Sequence, residues 1–437
     1  MRHKTTTQKQ IGPVKQRFVV LDALRGFALL GIILANFPEF SLWTFQNHAT
    51  PDIHHLTADN MVQALLCFFV DGKFYTLFSL LFGIGFSIII GNAMSRGADG
   101  RRIFYRRMTV LCLIGLAHLL LLWSGDILLL YALMGMLLPL FWKCTDRQLL
   151  RWAAFFLLLP VAIDLSRWLT GYSLANGCYE AWWAACDRYG LTEENFGTWL
   201  RDGQSYGAMH SFLMQGAVER IWEFVIGNRY FKVLGLFLIG LYIGRQRLYA
   251  NLHECREWLR KVQKIGFAMG LPLSVFYTWS SIGGHPWGPV VHSLLYALSV
   301  YPMGFAYAAA FCLLYENTMR ERFRTELLKT FERFTIHKDT DKKEGLIWNL
   351  LAQPGKMALT CYLSQSLCGV ILFYGVGFGM GTDTSLWMTE LWALGVFIMQ
   401  IALCALWLRY FRFGPLEWIW RMLTYGQWLK LRKEQNP

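Results

Sequence analysis

Ten stretches of this chain are apolar enough and long enough to cross a lipid bilayer, and that property limits the possible folds more than any other. They run from Val20 to Phe37, Phe74 to Ile90, Met108 to Trp123, Ile127 to Trp142 and Trp152 to Leu169. Five more run from Phe231 to Ile243, Ile265 to Trp279, Val290 to Leu314, Met357 to Phe378 and Leu386 to Leu408. Inside hydrocarbon every backbone polar group must find its partner within the protein, and segments of this length do so as helices. The expected fold is therefore all-α, a polytopic transmembrane bundle of about ten spans. With 55% hydrophobic and only 16% charged residues, the 437-residue chain has too little polar surface to cover a soluble globule.

Orientation follows from where the cations fall. With the N-terminus inside, the basic connections are Arg96 to Arg107, Lys143 to Arg151 and Arg245 to Lys264, and the segment 316–355 and the tail 411–437 are basic as well. Roughly four fifths of the Lys and Arg then lie on one side, as the positive-inside rule requires, and both termini are cytoplasmic. The formal charge of +13 is thus a topological signal. No water-facing basic domain is large enough for nucleic acid. Residues 1–17 read as a basic cytoplasmic N-terminus, 18–315 as a bundle with longer external loops near 38–61 and 171–229, 316–355 as a charged linker and 356–410 as the last two spans. The first span holds Asp22 and Arg25 and lacks a small-residue cleavage pattern, so it is expected to remain as a helix. The ten cysteines form no CxxC pair and no Cys/His cluster, which argues against a metal site. Cys178 and Cys186 share an external segment where a disulfide is permitted.

An ionisable group inside a span costs several kcal/mol unless it meets a partner or a wet cavity, so each one is a candidate functional residue. On an ideal helix Arg25 and Asn36 project within about 20° of each other, with Asp22 about 60° away. That face can line a polar cavity, or Asp22 and Arg25 can simply fasten the helix to its neighbours. Asn36, His48, Asp71, Lys73, His118 and Asp126 all fall near external helix ends in this topology. His118 and Asp126 flank a tight Trp123-Ser124-Gly125 turn, which makes an imidazole-carboxylate contact available. His48, with His54, His55, Asp52 and Asp59 nearby, reads as a proton-transfer residue or as one of several solvated loop residues, and lacks regular metal-ligand spacing. Lys356, Thr360 and Ser364 follow at i, i+4 spacing, either as a polar path or as interhelical hydrogen-bonding groups.

The run Leu21-Asp22-Ala23-Leu24-Arg25-Gly26 with Asn36 resembles the opening of the YeiB-like family of bacterial membrane proteins of unknown function (domain of unknown function 418). Asp71-Gly72-Lys73-Phe74, His118, Gly125-Asp126-Ile127-Leu128, Lys356-Met357-Ala358-Leu359-Thr360 and Gly414-Pro415-Leu416-Glu417-Trp418 are similar to that family's patterns in the same order. The opening also resembles heparan-α-glucosaminide N-acetyltransferase, which moves an acetyl group from cytosolic acetyl-CoA to a sugar amine across the membrane. That resemblance implies Asn36 and His48 as catalytic residues, acyl-CoA as cosubstrate and an extracytoplasmic acceptor. Asp22, Arg25, Asp71, Lys73, His118, Asp126, Lys356, Thr360 and Ser364 would form its polar pocket, in a bacterial inner membrane. The same intramembrane charges suit a transporter, with Asp22, Arg25 and Lys356 lining a path, and a non-catalytic scaffold is the third reading.

Overall fold

The computed structural model describes residues 18–46, 57–331 and 345–434, with the side chains of 322–331 excepted. Those residues are 79% helical and contain no strand. A single antiparallel bridge, Phe411 to Arg432, ties the tail back to the last long helix. In chain order the helices are α1 (Val19–Phe40), α2 (Ala58–Phe69), α3 (Lys73–Met94), α4 (Gly100–Leu121), α5 (Leu128–Leu137), α6 (Asp146–Thr170), α7 (Leu174–Tyr189) and α8 (Trp199–Asp202). They continue as α9 (Tyr206–Ile226), α10 (Arg229–Gln246), α11 (Arg256–Ile282), α12 (Gly288–Phe331), α13 (Leu346–Lys356), α14 (Ala358–Phe373), α15 (Leu386–Tyr410) and α16 (Pro415–Tyr425).

Seven helical runs among the described residues have the length and apolarity of a span, and two bent pairs, α9 with α10 and α13 with α14, raise the number to nine. The shorter apolar stretch Leu128–Phe141 accounts for the remaining stretch that the sequence marks. Leu113, Leu158, Ile398 and Leu403 stand more than half exposed on the outside of the bundle, which in water would be a liability and in lipid is the expected outer face. The protein is a multi-pass membrane protein.

α1 lies inside the bundle, in contact with α3, α12, α13, α14 and α15. Its closest crossing is with α13: a Cβ on Gly26 would fall 1.8 Å from the Leu351 carbonyl, and one on Gly355 would fall 1.8 Å from that of Asp22. Backbone meets backbone there, which only glycine allows. α3 and α10 repeat the device, where Gly83 faces Phe237 and Gly240 faces Leu80.

Two sequence boundaries move. The second span begins at Ala58 rather than Phe74, because α2 and α3 form one run through residue 94. The polar Asp59, Asn60 and Gln63 hide its first turns from hydropathy. The segment 171–229, expected as an external loop, is folded into α7, α8 and α9. α9 then turns by 66° into α10. Arg167 stabilises that bend by donating to the Val225 and Ile226 carbonyls, each at 2.9 Å, while it pairs with Asp164 at 2.9 Å.

Candidate functional site

At the C-terminal end of α4, His118 lies in the last turn with its ring buried. Its Nδ1 is 2.8 Å from Asp126 Oδ2, and its Nε2 is 3.0 Å from Ser366 Oγ in the middle of α14. The second oxygen of Asp126 accepts the Leu129 N–H at 2.7 Å, so the first turn of α5 fixes the carboxylate. A carboxylate can only accept, which assigns the proton of the imidazole to Nδ1 and leaves the Nε2 lone pair facing the serine hydroxyl. Ser366 Oγ also lies 3.4 Å from the Tyr362 carbonyl, a longer contact than the one to the imidazole.

The turn that carries Asp126 is clamped from above. Trp123 packs on Phe40 with ring centroids 4.3 Å apart and meets His118 edge-on at 6.0 Å. Arg220 of α9 donates to the Ser124 carbonyl at 2.8 Å, to Glu39 at 3.0 Å and to Glu223. Glu39 ends α1, so the Glu39–Arg220–Ser124 chain ties that helix to the His118 turn. Asn36, one turn earlier, is half-buried. His48 lies outside the described residues, with the rest of 47–56.

Toward the N-terminal end of α4, cations from three helices come together. Arg107 of α4 lies 3.6 Å over the Trp420 ring, and the charges of Arg421 and Arg25 act on it. Arg25 pairs with the buried Asp22 at 2.9 Å. Arg107 and His118 are eleven residues apart and so project within about 20° of each other, about 16 Å apart along α4. On the outer side of α4, Arg101, Arg102, Tyr105 and Arg106 line an open groove of about 620 Å³.

Other residues singled out in the sequence are placed differently. Lys356, Thr360 and Ser364 do not form one stripe, because α13 ends at Lys356 and the chain bends by 79° into α14. Thr360 Oγ1 donates to Glu417 at 2.6 Å, and Ser364 accepts from Gln400 at 2.7 Å, so both serve interhelical hydrogen bonding. Asp71 and Lys73 stand at a helix junction, since α2 closes at Phe69 and α3 opens at Lys73. They flank a break inside the α2–α3 run, where Gly72 abuts Tyr296 and Val300 of α12, the latter about 18 Å along that helix from its start. Lys73 is fully buried there and donates to the Cys67 carbonyl at 2.6 Å. Cys178 and Cys186 are both free thiols on α7, eight residues and about 12 Å apart, beyond disulfide reach while the helix holds.

Three features escaped the sequence. Ser366 projects about 200° round α14 from Ser364, so attention to the Thr360–Ser364 stripe pointed to the wrong face. Glu417 accepts from the Leu359 and Thr360 N–H groups at 2.7 and 3.0 Å, which caps α14 from the tail and accounts for the Gly-Pro-Leu-Glu motif. Glu390 of α15 is buried with neither carboxyl oxygen hydrogen-bonded among the described residues. Among those residues no group of three or more His, Cys, Asp or Glu is placed to hold a metal ion.

Residues 243–333 and 334–427 match the family described as Protein of unknown function (DUF418). Over nearly its whole length the chain is similar to curated bacterial proteins. It is 27% identical over 436 residues to Uncharacterized protein YxaH of Bacillus subtilis (strain 168), covering 96% of this chain and 97% of that one. It is 29% identical over 431 residues to Uncharacterized protein YeiB of Escherichia coli (strain K12), covering 94% and 96%. The chain is thus similar along its length to YeiB-like proteins, and residues 243–427 match DUF418. An Uncharacterized 39.9 kDa protein in amylase 3'region of Bacillus acidopullulyticus is 28% identical over 422 residues, covering 94% of this chain and 95% of its own. The geometry gives physical reasons for several of the residues singled out in the sequence. Gly26 and Gly355 allow the α1–α13 crossing, Asp126 orients His118, and Glu417 caps α14.

Proposed function

We propose that this YeiB-like protein is a membrane-embedded acyltransferase of a bacterial cytoplasmic membrane, drawing an acyl group from cytoplasmic acyl-CoA and delivering it to an extracytoplasmic hydroxyl or amine. One observation carries the reading: one face of α4 bears Arg107, stacked on Trp420, near one end and, about 16 Å along, the His118 imidazole with its Asp126 and Ser366 partners. Guanidiniums suit the phosphates of a CoA donor. Arg107, Arg25 and Arg421 hold that end, and the pantetheine arm runs about 16 Å along α4 toward His118. There, excluded from water, His118 takes the proton of the attacking group while Asp126 holds its tautomer and stabilises the imidazolium. Asn36 would orient the carbonyl and His48, which lies outside the described residues, would act on the acceptor.

The test is CoA release from acetyl-CoA and longer acyl-CoAs by the purified protein in detergent. His118→Ala should slow turnover by about 10² to 10⁴-fold, the usual contribution of a positioned base, with donor binding retained. Equal turnover in wild type and His118→Ala would refute the assignment. A second reading, transport of a small cation or amine, is favoured by Glu390, whose unpartnered carboxyl stands inside a span. Proteoliposome uptake that is lost in Glu390→Gln and indifferent to acyl-CoA supports that reading instead.

A further inference from the structure

Resting on the acyltransfer reading, we infer that Ser366 is the covalent carrier of the acyl group, so that transfer proceeds in two half-reactions through a serine ester. The arrangement is that of an activated nucleophile: hydroxyl to imidazole Nε2 at 3.0 Å, imidazole Nδ1 to carboxylate at 2.8 Å, and carboxylate fixed by a backbone N–H at 2.7 Å. A serine that merely braced two helices would need no second partner behind the histidine. Tyr362, one turn before Ser366 and with its ring centroid 5.4 Å from that of His118, has a buried hydroxyl without a regular hydrogen bond, and the Ile127 N–H faces it. That hydroxyl is a donor available to a carbonyl oxygen as negative charge develops on it.

In the first half-reaction Ser366 Oγ attacks the thioester carbonyl carbon while His118 Nε2 takes the hydroxyl proton. The C–S bond breaks, and the departing thiolate receives that proton and leaves as CoA thiol. In the second, the acceptor hydroxyl or amine attacks the serine ester and gives its proton to His118. The C–O bond to Ser366 then breaks, and the proton returns to the serine oxygen. Ser366, His118 and Asp126 are each at most 3% exposed, so water is kept from the ester between the two steps.

The experiment incubates full-length protein in detergent with radiolabelled acetyl-CoA and no acceptor, followed by acid quench and peptide mapping. The expected result is up to one acetyl group per chain on Ser366 with equal CoA released, and its loss in Ser366→Ala and His118→Ala. Ser366→Cys should carry the acetyl group as a thioester cleaved by neutral hydroxylamine, which shows that a variant at this position still folds. Acetyl found on another residue, or transfer to an acceptor that continues in Ser366→Ala, would overturn the covalent role while leaving acyltransfer in place. A fluorophosphonate probe separates the two failures. Labelling of Ser366 that depends on His118, in protein that binds no acyl-CoA, would retain the activated serine and remove the acyl donor. Absence of both labels in folded protein would remove both.

Discussion

Glu417→Ala should be among the most damaging single substitutions far from His118. The carboxylate accepts three hydrogen bonds, from Leu359 N at 2.7 Å, Thr360 N at 3.0 Å and Thr360 Oγ1 at 2.6 Å. Hydrogen bonds to a charged group contribute about 1.5 to 3 kcal/mol each, and the two N–H groups left behind at the start of α14 would lose a buried partner. Because the three share one acceptor they do not add, and a loss of about 3 to 4 kcal/mol is expected. Glu417→Gln keeps one carbonyl oxygen for the N–H pair and should lose roughly half as much. Thr360→Ala alone should cost about 1 kcal/mol, and the Thr360→Ala, Glu417→Ala double variant should be less damaging than the sum. Thermal unfolding followed by monodispersity on gel filtration in detergent gives the ranking. An unchanged midpoint for Glu417→Ala, or strict additivity in the double variant, would refute the capping role.

Gly355→Ala should destabilise by about 1 to 3 kcal/mol, the range for overpacking a close crossing, and the same detergent melt reports it. Gly85→Ala, where a Cβ meets open space, should be near neutral and is the control. Burial pushes the Cys186 thiol up to about 11, so its alkylation in native protein should be slow at neutral pH, rise with pH up to that value and level off above it. Peptide mapping without reductant should find Cys178 and Cys186 unpaired, and a disulfide between them would mean that α7 is not the helix described here. Asp126→Asn should keep the fold but lower CoA release by more than tenfold, because an amide need not hold the proton on His118 Nδ1.

Much of the bundle was legible because hydropathy is a one-dimensional signal set by the bilayer. The breaks were less so. Asp71-Gly72-Lys73 reads as a helix end from sequence and is one, but the polar start of α2 hid the helix that runs into it, so that the span continues back to Ala58. The α13–α14 bend follows Pro354-Gly355, a local breaker that the apolar stretch overshadowed, and its cap comes from a distance, from Glu417 more than fifty residues downstream. His118 and Asp126 were visible because only a short turn separates them. Ser366 was not, because its partner is 248 residues away and a lone serine in an apolar helix carries no periodic signal.

The most direct test of the account is equilibrium binding of acetyl-CoA to the detergent-solubilised protein, compared across wild type, His118→Ala and Arg107→Ala. The account predicts saturable binding that survives in His118→Ala and weakens at least tenfold in Arg107→Ala, because the cation cluster holds the donor and the imidazole acts only on its carbonyl. Absence of binding in folded wild type, or binding indifferent to Arg107, would contradict it.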